Sequence, residues 1–166
     1  MRPTTSGQLL LFERLAKGNW TNIGYIRKSP GQEPVETRKR LIEAMADRLK
    51  KQCLCKKTFV SDGTRSSDPI LSRDVGSTRS HCNGNTQDMF AYISSATKNV
   101  RLCVIDYAGI STNPEDIKKT MRLVRNIKEL EILHKSNVEA INRHELKTDK
   151  TLIKFQCRTG PVHRSK

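Results

Sequence analysis

The run Val100-Arg101-Leu102-Cys103-Val104-Ile105, closed by Asp106-Tyr107-Ala108-Gly109, constrains the fold more than any other segment of the chain. It is the clearest strand: short, rich in aliphatic residues and ended by turn formers. A helix is signalled directly after it, with Ser111 or Thr112 as cap, Pro114 in the first turn, and Glu115 and Asp116 near the positive dipole end. Strand followed by helix is the repeating unit of α/β folds. The same alternation is readable upstream. An apolar run at residues 23–26 precedes a helix over about 34–51, in which Leu41, Ile42, Met45 and Leu49 recur at helical spacing. A strand is expected at 57–60 and a helix over 86–96. The strongest helix covers 114–130, with Ile117, Met121, Val124 and Ile127 as its apolar stripe, and a strand follows at 130–133. A mixed helix is expected over 138–146, a strand at 152–155, and a short helix over 8–15. These elements predict an α/β domain with a mainly parallel sheet of four or five strands flanked by helices.

The segment with the most chemistry is Ile23-Gly24-Tyr25-Ile26-Arg27-Lys28-Ser29, an apolar run ending in an arginine two residues before a serine. It delivers a hydroxyl beside a fixed positive charge, which suits a serine that attacks or holds a phosphodiester. Arginine braces phosphate bidentately, and its charge helps a neighbouring hydroxyl lose its proton. Asp106 is a second candidate, because a carboxylate at the carboxyl end of a central strand lies where α/β folds place site residues. Its alternative role is a turn or cap residue before the next helix. His134, His144 and His163 have no spaced partner that suggests a metal or a general base.

In this order of features the chain resembles the catalytic domain of the serine site-specific recombinases, the resolvase and invertase family. Those domains open on a Gly-Tyr-x-Arg-x-Ser strand and continue into an amphipathic helix. A loop of the form Ser-Gly-x-x-x-x-Arg-Pro-x-Leu follows, and later a buried strand ends in Asp-Arg-x-x-Arg before a helix. Gly24-Tyr25-Ile26-Arg27-Lys28-Ser29 matches the first motif; Gly63 and Asp68-Pro69-Ile70-Leu71 stand for the loop, and Asp106-Tyr107-Ala108-Gly109-Ile110 for the last. The resemblance spans residues 22–133. It implies a resolvase-like fold, Ser29 as nucleophile forming a phosphoserine link to DNA, Arg27 bracing the phosphate and Asp106 ordering the pocket. The chain departs from the pattern where the family gathers charge on the scissile phosphate: Asp68, Tyr107 and Ile110 replace three arginines. Such donors act electrostatically, and removing one costs on the order of 10²–10³ in rate by analogy with oxyanion-hole deletions. Activity would then require Arg65, Arg73 or Arg79 as substitutes.

The formal charge is +14 over 166 residues, unevenly placed. Residues 1–60 carry 13 Lys and Arg against 5 Asp and Glu, residues 61–120 carry 7 against 7, and residues 121–166 carry 11 against 5. Basic ends around a balanced middle favour a polyanionic partner, most simply DNA. Arg38, Lys39 and Arg40 on the first helix, with Arg65 and Arg73 in the loop, are the expected DNA contacts. Five cysteines form no disulfide rhythm, no signal peptide is visible and no apolar run spans a bilayer, so an intracellular, reducing setting without membrane association is expected. No cofactor is expected. Cys53, Cys55, His81 and Cys82 would be the ligands of a zinc site, but their intervals match no common finger or ribbon.

The organisation expected is an N-terminal extension over 1–21, the resolvase-like domain over 22–133 with a long mobile loop at 61–87, and a basic C-terminal extension over 134–166. The leading functional expectation is a DNA-associating domain with strand-exchange chemistry lost or weakened, with a homodimer as candidate assembly. The alternatives are an active serine recombinase or transposase fragment, and a structural or protein-interaction domain.

Overall fold

A computed structural model describes residues 20–156. The elements in chain order are β1 (Trp20–Lys28), α1 (Val35–Gln52), β2 (Lys57–Asp62), α2 (Thr86–Ser95), β3 (Asn99–Ile105), α3 (Pro114–Leu123), β4 (Ile127–His134), β5 (Asn137–Asn142) and α4 (Asp149–Gln156). They build one five-stranded sheet in the order β2-β1-β3-β4-β5. β2, β1, β3 and β4 are parallel, and β5 is antiparallel to β4. The expected α/β class and mainly parallel sheet are therefore present.

The central strands bury both faces, so the sheet must be covered twice. Ile23 and Tyr25 of β1, with Val100, Leu102 and Val104 of β3, face α2, α3 and α4 through Met89, Ile93, Ile117, Met121, Leu152 and Phe155. Ile26, Val60, Cys103 and Leu133 face the opposite way and pack under Ile42, Ala46 and Leu49 of α1. One helix thus covers one face and three cover the other. Gly24 permits the close approach of α1, since a Cβ there would lie 2.9 Å from Leu49 Cδ1 and 2.9 Å from Thr58 Cγ2.

Several local expectations fail for identifiable reasons. The helix expected over 114–130 stops at Leu123, and Ile127 begins β4. The Asn126 side chain fixes the turn between them by donating to the carbonyls of Ile93 and Ala96. The cap of α3 is Asn113, not Ser111 or Thr112; its side chain accepts from Glu115 and Asp116. Most of 138–146 is β5 and a short 3₁₀ turn instead of a helix, because pairing to β4 decides the conformation of that segment. Residues 152–155 are helical. Leu152 and Phe155 are buried while Ile153 and Lys154 are exposed, a spacing of three that a strand does not produce.

Residues 61–87 are not a loose loop. Arg73 donates to the Asp68 carbonyl, Thr112 N–H to Ser66 O, Ile70 N–H to Asp116 Oδ2, and Gln87 Nε2 to the carbonyls of Leu71 and Arg73. An Asn85–Asp88 capping box opens α2 at its end. The expected helix over 8–15, the remainder of the N-terminal extension before Trp20, and residues 157–166 lie outside the described residues.

Gly24→Val is expected to destabilise the domain by about 1–3 kcal/mol, the usual cost of overpacking a filled core. Urea unfolding measures it; an unchanged midpoint would show that α1 moves away at little cost.

Candidate functional site at the carboxyl ends of the strands

Strand order reverses between β1 and β3, so the crevice at their carboxyl ends is where an open α/β sheet accepts ligands. Arg27, next to last in β1, spans this crevice. Its Nη1 donates to the Thr64 carbonyl beyond β2 at 2.7 Å, and its Nε donates to the Ala108 carbonyl beyond β3 at 2.9 Å. Ser29, the first residue after β1, is exposed. Its carbonyl accepts from Arg38 Nη2 at 3.0 Å, and no described residue hydrogen-bonds its hydroxyl.

Arg38 is the hub of the Ser29 side. It bonds Asp62 Oδ1 through Nε at 3.1 Å and Nη2 at 2.5 Å, and Glu33 Oε1 through Nη1 at 2.8 Å. His81 Nε2 lies 2.9 Å from Asp62 Oδ2, and Arg79 Nη1 donates to the Asp62 carbonyl at 3.1 Å. Burial pushes the Asp62 carboxyl up, but bonds from Arg38 and His81 outweigh it and hold the group below its usual range. The Lys28 hydrogen bond leads the causes that hold Glu33 down to about 2. Pro30, Gly31, Glu33, Arg38, Gly63 and Arg79 line an open cleft of about 450 Å³ here. The cations at this edge therefore face two ionised carboxylates.

Asp106 belongs to a different group. It adopts φ 63°, and its Oδ1 accepts from the Tyr107 N–H, which makes it the cap of a 3₁₀ turn. Its carboxylate lies 4.0 Å from His134 Nδ1. His134 Nε2 is 3.1 Å from Glu139 Oε1, which also accepts from the Tyr107 hydroxyl at 2.5 Å; Lys154 Nζ bonds Glu139 Oε2 at 2.8 Å. Arg27 reaches the turn that follows Asp106 through the Ala108 carbonyl. The Asp106 carboxylate turns toward His134, while the Ser29 backbone is bonded by Arg38.

The remaining predicted residues divide clearly. Lys39, Arg40 and Arg65 are exposed, and Arg38 is half-buried in its ion pairs. Arg73 is not a surface contact: it is 3 % exposed, and Nη1 reaches the Tyr25 hydroxyl at 3.2 Å while Nε and Nη2 are held by the Asp68 carbonyl. The zinc set does not assemble. Cys53 and Cys55 are buried beside Cys103, His81 is bound to Asp62, and Cys82 is exposed. A hydrogen bond with Cys103 and burial both push the Cys53 thiol up. The three positions that lack the expected arginines have other roles. Asp68 Oδ2 closes a turn by accepting from Arg65 N–H, Tyr107 binds Glu139, and Ile110 is a core residue at 1 % exposure.

Sequence reasoning missed Asp62, Glu33, Glu139 and the partners of His81 and His134. The signal for the last was the strand register: Glu139 follows His134 across the β4–β5 hairpin, which a helical reading of 138–146 conceals. No protein-family model, curated protein or solved structure matches the chain.

Glu139 supplies a pH prediction. Burial raises its carboxyl, but bonds from Lys154, Tyr107 and His134 outweigh that and hold it down to about 2, from 4.5. A depressed folded value means its stabilisation is complete above the unfolded value and disappears as pH falls toward the folded one. Stability is therefore expected to drop between about pH 4.5 and pH 2, and Glu139→Gln to flatten that drop. Urea unfolding at several acid pH values tests this; an equally steep loss in the variant would assign the acid sensitivity elsewhere.

Proposed function

We propose that the chain is a DNA-associating domain resembling a serine recombinase catalytic core, with strand-exchange chemistry lost or much weakened. The observation that carries this reading is the commitment of the cations around Ser29. Arg27 gives Nε and Nη1 to two backbone carbonyls that hold it in place, and Arg38 is paired with Asp62 and Glu33. A phosphoryl site works by holding cations toward the reacting phosphate, and cations already bound to carboxylates have little left to offer. Ser29 is accessible, but no general base bonds its hydroxyl among the described residues. The net charge of +14 favours DNA as the partner. The element order supports the resemblance: strand, amphipathic helix, strand, long loop, then a buried strand ending at Asp106 before a helix.

Duplex DNA is expected to bind with little sequence preference, with log affinity falling linearly as log salt rises. On a nicked suicide substrate the unmodified chain is expected to form no covalent adduct, and Ser29→Ala to leave binding unchanged. Fluorescence anisotropy over a salt series and denaturing gels check the two halves separately. Salt-indifferent or absent binding removes the DNA reading. An adduct that depends on Ser29 makes the protein an active recombinase instead.

A further inference from the structure

A cluster of cations lies at the other end of the sheet. Lys118, Arg122, Arg125, Lys128, Arg143 and Lys147 line a cleft of about 540 Å³ between α3, the start of β4 and the 3₁₀ turn after β5. No carboxylate lines it. Lys118 alone forms ion pairs, with Asp149 at 3.5 Å and Glu115 at 3.8 Å, and both partners are largely exposed and weakly held. No described carboxylate lies within ion-pair distance of the other five cations.

Helix chemistry explains one of these cations. Arg143 donates to the carbonyls of Met121, Val124 and Ile127, where α3 ends and β4 begins. The negative end of the helix dipole, roughly half a charge, offsets that guanidinium in part. Arg122, Arg125, Lys128 and Lys147 have no such structural employment. Burial, and to a lesser extent the charge of Arg125, pull Arg143 below its ordinary value. Like charges gathered this way repel and cost stability unless an anion joins them.

We infer that this cleft binds the phosphate backbone of duplex DNA, and that it, not the Ser29 edge, is the chain's main phosphate contact. The inference rests on the DNA-associating reading above and locates it. The comparison of the two ends decides the point. At the Ser29 cleft Arg38 and Arg79 face Glu33 and Asp62. At the opposite cleft six cations converge with no carboxylate in the lining. The Arg122 and Arg125 side chains make no hydrogen bond among the described residues, and their planar forks match phosphate oxygens in pairs. Lys118 and Arg122 lie one turn apart at i and i+4 on α3, and Arg125 follows in the turn after it.

The test neutralises three side chains that form no ion pair among the described residues: Arg122→Gln, Arg125→Gln and Lys128→Gln together. Arg143 is left intact because its bonds hold the end of α3. A companion variant, Lys39→Gln with Arg40→Gln, removes exposed charge from α1. Binding of a short random-sequence duplex is followed by anisotropy over a salt series, with thermal unfolding to verify the fold. The triple variant is expected to lose about 10–100-fold in affinity at low salt and about 2–3 units of slope in log affinity against log salt, near 0.9 per phosphate contact. The companion is expected to change little. Should the triple variant unfold, Arg122→Gln alone gives the reading through one contact. Binding by the unmodified chain that the cleft variants leave unchanged, or that both sets weaken equally, overturns the cleft as the site while leaving DNA association standing. Failure of the unmodified chain to bind removes the functional reading itself.

Discussion

The carboxyl edge of the sheet depends on the Arg27 guanidinium. β1 lies between β2 and β3, and Arg27 at its end donates to the Thr64 carbonyl on one side and the Ala108 carbonyl on the other. A bond from a charged donor to a half-buried carbonyl contributes about 1.5–3 kcal/mol, and leaving either carbonyl unmet would cost a comparable amount. The planar fork also fixes direction, so both loops are held at set angles around the strand. Thr64 begins the long segment that Arg73 then organises from inside, and Ala108 lies in the turn that orients Asp106 and Tyr107. A neutral side chain at position 27 would leave two loops without a common anchor. The same employment makes Arg27 a brace more than a reagent.

What the sequence revealed and what it concealed follow from the range of the interactions. Residues whose environment is set locally were readable. The apolar runs of β1 and β3, the helical spacing in α1 and the carboxylates at the start of α3 gave element types and the α/β class. Elements decided by distant partners were not. β5 pairs with β4 through backbone groups that carry no side-chain pattern, and its one buried residue among six is too little alternation to declare a strand. The candidate site was half readable for the same reason. Arg27, Ser29 and Asp106 were placed correctly at strand ends, but nothing in their spacing says that Asp106 turns to His134 while Ser29 leans on Arg38. Arg73 is the sharpest failure. A loop arginine reads as surface charge, and only the closure of the loop over Tyr25 shows that it is buried.

Charge was the most misleading quantity when read along the chain. Counts by segment treat a lysine and a glutamate as cancelling wherever they stand. In the folded domain the cancellation is spatial. Arg38 and Asp62 are far apart in sequence and neutralise one another at the Ser29 edge. Lys118 through Lys128 share their stretch with Glu115 and Asp116, yet Glu115 is exposed beside Lys118 and Asp116 binds the Ile70 N–H. The acids lie at the start of α3 and the bases toward its end. That arrangement suits the helix dipole and leaves the far end strongly positive.

Under the proposed recombinase-like reading, the three positions that depart from that pattern bear on whether strand-exchange chemistry could be built at this edge. Had they been empty surface sites, an arginine at each would restore charge without disturbing the fold. Ile110 is instead part of the core that includes Val104 and Ile117. A guanidinium placed there would be buried without a partner, at a cost of several kcal/mol. Tyr107 is engaged by Glu139 and packs edge-on to Phe155, with ring centroids 5.0 Å apart. Asp68 closes the turn whose carbonyl holds Arg73. Each position is now part of the packing around the strand ends. A single substitution would therefore trade stability for charge, beside an Arg38 that is already bound to Asp62 and Glu33.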